Sequence, residues 1–174
     1  SFETLLTSEG ERAATLDAVA AHANVSKGGL LYHFPNREAL VGGLLERLRT
    51  LADADLAAMQ TAPEGASVYY VTSSCNVGSA FDHALIAATR LGIEKHPDAT
   101  ATIRSIQQRW LGLIRDEVGD PGIATAIMLL GDGMYYNAVF GYEGFGALVP
   151  DVDALERLIV EHITQIGRAS CRER

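Results

Sequence analysis

The sequence predicts an all-α protein of about nine helices, and three observations lead there. Apolar residues recur three and four positions apart along most of the chain, the spacing that builds one face of a helix. Alternating apolar–polar runs long enough for strands are absent. The apolar stripes are punctuated by Thr, Ser, Asn, Asp and Pro at their starts and by Gly at several ends, as helix capping requires.

The elements follow in order. Phe2, Leu5 and Leu6 are expected to form the last turns of a helix that begins before this sequence does, with Gly10 ending it. Thr15 caps a short helix carrying Leu16, Val19 and Ala20 on one face. Asn24 and Val25 form a tight turn, and Ser26 caps a second short helix from Lys27 to about His33. Pro35 and Asn36 break that helix. Asn36 then caps a long one with Leu40, Leu44, Leu48 and Leu51 on one side. Pro63 is expected to start the next. Phe81, Leu85 and Ala88 share a helix ending near Gly92. Pro97 opens another, with Ile103, Ile106, Trp110 and Leu113 at helical spacing. Asp120–Pro121 starts a run through Phe140, and Asp151 or Asp153 caps a last helix striped with Leu155, Leu158, Ile159, His162, Ile163 and Ile166.

Apolar residues make up 48% of the 174, enough for a substantial core. No run of 18 apolar residues and no secretion signal is present. Cys75 and Cys171 lie far apart and lack metal-binding spacing, so a reduced, cytoplasmic protein without a membrane segment is expected. The net charge of −8 is uneven. Residues 1–50 hold five Lys/Arg and six acids, whereas residues 51–166 hold six Lys/Arg and fifteen acids. An acidic body repels polyanions, so any nucleic-acid contact must come from the first third of the chain.

The stretch NVSKGGLLYHFPNREAL, residues 24–40, places two adjacent glycines between clear amphipathic runs. Two short helices joined by a tight turn suit a helix-turn-helix, in which the first braces and the second exposes its front half. A DNA major groove admits one helix. Gly28 and Gly29 keep the front of that helix slim, so backbone and the Lys27 ammonium can approach base edges. Thr15 and Ser26, at the helix starts, join this candidate interface. Tyr32 and His33 at its back, and Arg37 in the next helix, can reach phosphates. Leu30, Phe34, Val19 and Val25 would bury the unit. The same two helices could also be plain packing in an all-α small-molecule-binding or catalytic domain that never touches DNA.

Residues 15–40, TLDAVAAHANVSKGGLLYHFPNREAL, resemble the TetR family of bacterial transcription regulators. The family pattern has an apolar-rich helix, a Gly-Val-Ser turn, a short recognition helix ending in aromatics, then a polar residue, Lys and Glu. This chain carries Asn24 for the usual Gly, Gly29 where Thr is common, Leu31 where a phosphate-contacting Tyr is typical, and Arg37 for Lys. Asn24 fits because Asn tolerates the left-handed conformation. The resemblance implies a helix-turn-helix DNA-binding domain over 1–50, its first helix truncated, and a helical ligand-binding and dimerisation domain over 51–166. Residues 167–174, GRASCRER, break the pattern and read as a disordered or vector-derived tail. The implied function is a ligand-responsive regulator. It would most often be a repressor, binding a palindromic double-stranded operator as a homodimer and released by a small apolar or amphipathic effector.

Aromatic and sulfur side chains concentrate in the second domain. Core packing accounts for such a stripe, but the resemblance also implies a ligand cavity among the middle helices. The candidates there are Trp110 and Tyr136, then Met128, Phe81 and Tyr69. For the dimer, the candidates are Ile123, Ile127 and Leu130 on one helix and Leu155, Ile159 and Ile163 on the last, forming an intermolecular four-helix bundle. Asp132 stands between two glycines inside an apolar helix, each costing about 1 kcal/mol there. It either faces solvent at a kink or pairs with Arg104 or Arg109 where helices approach closely. Gly42 and Gly43 could soften the long helix that joins the two domains. The histidines lack partners at metal spacing. No Ser-His-Asp, Cys-His or phosphate-loop pattern appears, so no catalytic residue, cofactor or metal is assigned and a non-enzyme is expected.

Overall fold

The computed structural model describes residues 1–93, 96–140 and 151–163. It contains nine α-helices among these residues: α1 (Phe2–Ser8), α2 (Leu16–His22), α3 (Lys27–His33), α4 (Arg37–Thr61), α5 (Ala66–Ser73), α6 (Ala80–Ile93), α7 (Pro97–Val118), α8 (Pro121–Phe140) and α9 (Val152–Leu158). A π-helical turn, Ile159–Ile163, continues α9. The side chains of His162 and Ile163, together with Ile166 and the tail 167–174, lie outside the described residues.

Side-chain caps decide where most of these helices begin. Thr15 Oγ1 accepts from the amide of Ala18 at 3.2 Å, and Ser26 Oγ from that of Gly29 at 3.0 Å. Asn36 Oδ1 accepts from Ala39 N at 2.8 Å, and Asp120 Oδ1 from Gly122 N and Ile123 N at 2.8 and 3.1 Å. Asp151, rather than Asp153, caps α9 through Ala154 N at 2.9 Å. Asn24 takes a φ of 54° in the turn before α3, and Gly10 a φ of 85° after α1. Pro63 does not open α5. The chain instead turns through Gly65, whose φ of 92° favours glycine, and α5 starts at Ala66. Its first turn is capped from α7, where Glu117 accepts from the amide and hydroxyl of Ser67.

The chain separates into two compact units, Ser1–Asp53 with Gly78–Ile106, and Ala54–Val77 with Gln107–Arg174. The sequence-expected boundary at residue 50 falls near the first division, and compactness additionally groups α6 and the start of α7 with the N-terminal helices. In the first unit α1 packs against α2 and α6, and α2 against α3. Its core includes Leu5, Leu6, Val19, Leu30, Leu44, Leu48, Ala88 and Leu91. Gly43 is required by packing, since a Cβ there would lie 2.9 Å from the Phe34 ring. That gives Gly43 a structural reason separate from the softening expected of it.

In the second unit α5 packs on α8 and on the described part of α9. A Cβ on Gly131 would lie 2.5 Å from the Tyr70 ring, so this glycine allows α5 and α8 to approach. Asp132 is half-buried where these helices approach closely, and its hydrogen-bond partner among the described residues is Tyr70 in place of the expected Arg104 or Arg109. Its Oδ1 accepts the Tyr70 hydroxyl proton at 2.7 Å.

Candidate nucleic-acid interface

Helix α3 is seven residues long and buries Leu30 against its unit. Lys27, Gly28, Gly29, Tyr32 and His33 are all exposed, with Tyr32 84% accessible. A Cβ added to Gly28 would meet nothing, so no neighbour in the protein requires glycine there. Gly29 is tighter, because a Cβ would sit 3.1 Å from the capping Ser26 hydroxyl. Tyr32 and His33 stand edge to face at 5.1 Å between ring centres. Val25, expected to help bury the unit, is 48% exposed in the turn between α2 and α3.

The ion pairs around this face rearrange the roles expected from sequence. Lys27 Nζ lies 3.0 Å from both carboxylate oxygens of Asp17 on α2. Asp17 was not singled out by the sequence, although it is the one acid between residues 15 and 34, as Lys27 is the one Lys/Arg. Arg37, expected at a phosphate, turns inward. It donates to the carbonyl oxygens of Ala14 and Glu11 at 2.7 and 3.1 Å and to Glu11 Oε1 at 3.0 Å. Its guanidinium also lies 5.9 Å from the centre of the Phe2 ring. Arg37 therefore braces the loop before α2 against the start of α4.

The expected ligand residues fall into both units. Trp110, Tyr69, Met128 and Tyr136 belong to the second, and Phe81 to the first. Trp110 is buried and donates its indole N–H to Asp55 Oδ2 at 2.8 Å, while the Tyr69 hydroxyl donates to Asp55 Oδ1 at 3.1 Å. Tyr70 stacks on Trp110 at 5.5 Å, tilted by 56°. Burial, then the Asp55 charge, pushes the Tyr69 hydroxyl up to about 12, and burial followed by the Asp132 hydrogen bond raises that of Tyr70 further, so both remain donors at neutral pH. Asp55 was missed. Asp55 was recognisable as an acid at helical register with Ala52 and Met59 on the buried side of α4. Met128 is half-buried, whereas Tyr136 is 61% exposed.

The expected dimer residues also divide. Ile127 and Ile159 are fully buried within the single chain, so they have no surface to give a partner. Ile123, Leu130 and Leu155 are half-buried. The side of α8 left exposed carries Gly122, Thr125, Ala126, Leu129, Gly133 and Tyr136, a stripe in which Gly122, Leu129 and Tyr136 stand seven residues apart.

Among the described residues, no helix is long and apolar enough to cross a membrane, and no His, Cys, Asp and Glu group could hold a metal ion. Two family profiles match the chain. Residues 3–44 match the bacterial regulatory proteins of the tetR family, and residues 64–159 match the tetracyclin repressor-like C-terminal domain. Searches of curated proteins and of solved structures returned no match.

Proposed function

The chain belongs to the TetR family of bacterial regulatory proteins, and we propose that this ligand-responsive DNA-binding regulator acts as a homodimeric repressor on a palindromic operator. The observation that carries the reading is the surface of α3. One buried leucine anchors that helix, and its remaining polar and aromatic side chains, Lys27, Tyr32 and His33, face solvent. The cap hydroxyls of Thr15 and Ser26 order the two helix starts beside it. Tyr32 and His33 would reach the backbone of the duplex and fix the register, while the slim front around Gly28 would approach base edges.

A two-fold dimer presents two such helices to successive major grooves, about 34–36 Å apart. The exposed stripe of α8, with Leu129 and Tyr136 rising above small residues, supports a role for that helix face in pairing the subunits. In this reading Tyr136 belongs to the subunit interface.

The effector is a small apolar or amphipathic molecule seated near Trp110. The buried rings of Tyr70 and Trp110 would form the apolar wall of such a site, and Asp55 and Asp132, already engaged by tyrosine and indole donors, its polar ends. An effector releases DNA only by preferring a state in which the reading helices are wrongly spaced. Coupling of about 1–3 kcal/mol would lower operator affinity roughly 5- to 150-fold. The protein acts in the cytoplasm and needs neither cofactor nor metal for this role.

The test is retention on heparin and an electrophoretic shift with the DNA upstream of its own gene. Salt-sensitive, sequence-selective binding supports the reading. Failure to bind any duplex would return the N-terminal helices to plain packing and favour a small-molecule-binding domain.

A further inference from the structure

The Asp17–Lys27 pair is exposed, with the two side chains 71% and 55% accessible. Exposed pairs of this kind add little or nothing to stability, so stability gives no reason for it. Its consequence is electrostatic. Residues 15–34, which hold both short helices, contain one Lys/Arg and one Asp/Glu, and these two charges are joined. The proposed reading face is therefore locally neutral, whereas a surface bound through phosphate charge would be basic.

The geometry also limits what Lys27 can do. An ammonium has three donors. With both Asp17 oxygens 3.0 Å away, Lys27 Nζ is held against α2, and at least one donor remains free for an outside acceptor. A phosphate oxygen approaching that ammonium would also meet the adjacent carboxylate and be repelled. A guanine edge would not, because O6 and N7 are neutral acceptors that Lys can satisfy.

We propose that Asp17 is a positioning residue that directs Lys27 to a guanine edge and denies it to the phosphates, which makes the pair a determinant of sequence specificity. This rests on the DNA-binding reading above. Without the carboxylate, the same lysine would be free to follow the phosphate backbone, and binding would become stronger on arbitrary DNA and less selective.

The test uses two probes, a duplex selected by the full-length parent chain from a randomised library and a random-sequence duplex. The parent, Asp17→Asn and Lys27→Gln are titrated on both over a range of salt, with circular dichroism confirming unchanged helix content. Asp17→Asn should bind the random duplex more tightly and steepen its salt dependence by about one counterion. Its selected-to-random ratio should fall about tenfold or more, the scale of one lost base contact. Replacing single guanines of the selected duplex by 7-deazaguanine should weaken the parent at one guanine per half-site. Both variants should lose that sensitivity. An Asp17→Asn protein that keeps the parent's ratio and 7-deazaguanine sensitivity overturns the proposal while leaving DNA binding intact. Equal weakening on both duplexes overturns it too, because that is the signature of a structural role. A parent that selects no sequence overturns the DNA-binding reading itself, and this inference with it.

Discussion

The Glu11 carboxylate and the His96 imidazole, 85 residues apart in the chain, meet at 2.9 Å. Glu11 lies in the loop before α2, and His96 stands immediately before α7. The same carboxylate oxygen accepts from Arg37 at the start of α4. One acid thus ties together three places in the first unit, including the junction that follows α3.

This junction should make the first unit sensitive to acid. The hydrogen bond from His96 holds the Glu11 carboxyl below its ordinary value, with Arg37 adding to that effect and burial opposing it. The folded state therefore binds this proton more weakly than the unfolded chain does. The stabilisation is complete above about pH 4.5, the ordinary value, and is lost as pH falls through the lower folded value. Glu11→Gln should be less stable than the parent at neutral pH and should lose less stability on acidification. Urea midpoints from neutral pH into the acid range check this, and identical acid slopes for the two proteins would contradict it.

Arg37→Ala should destabilise the protein by about 1–3 kcal/mol, because it strips donors from two carbonyls and a part-buried carboxylate. Operator affinity should fall with it, yet the salt slope should stay that of the parent. A phosphate contact would instead flatten the slope by about one unit. Gel shifts at several salt concentrations, compared at temperatures where both proteins are folded, separate the two.

The starts of the helices were legible in sequence because a cap is local. Thr15, Ser26, Asn36, Asp120 and Asp151 each bond an amide two or three residues ahead. The exposed face of α3 was legible for the same reason, since its two leucines, Leu30 and Leu31, are adjacent and cannot cover more than one side. Contacts between elements were not legible. Arg37 turns inward because Glu11 and Ala14 wait 26 and 23 residues earlier. Ile127 and Ile159 looked like partner-facing residues because periodicity identifies an apolar side without saying whether its own chain covers it. The Pro63 helix start failed because Glu117, 50 residues beyond Ser67, supplies the cap that places the first turn later.

Two helical glycines should respond oppositely to alanine. Gly131→Ala drives a methyl into the Tyr70 ring, where the carbon would lie 2.5 Å from Cε1, and should cost about 1–3 kcal/mol. Gly112→Ala in α7 meets nothing within 4 Å and should gain up to about 1 kcal/mol from helix propensity. Thermal melts of both variants read the difference, and equal shifts of one sign would show that α5 and α8 do not approach closely at Gly131.

The single tryptophan makes the effector site observable. A compound that releases DNA by seating near Trp110 should change its emission, since the Asp55 hydrogen bond and the Tyr70 ring both lie against the indole. Asp55→Asn should weaken that response while leaving DNA affinity without effector within a few-fold of the parent. Release of DNA with unchanged tryptophan emission would place the effector elsewhere.

Whether two copies of α3 read one operator is decided by a hydroxyl-radical footprint on the DNA upstream of the protein's own gene. Two protected half-sites are expected, related by two-fold symmetry and centred about one helical turn apart, or a multiple of it, in a complex whose mass by light scattering contains an even number of chains. Uniform protection without symmetry, or a single half-site bound by one chain, would contradict this reading.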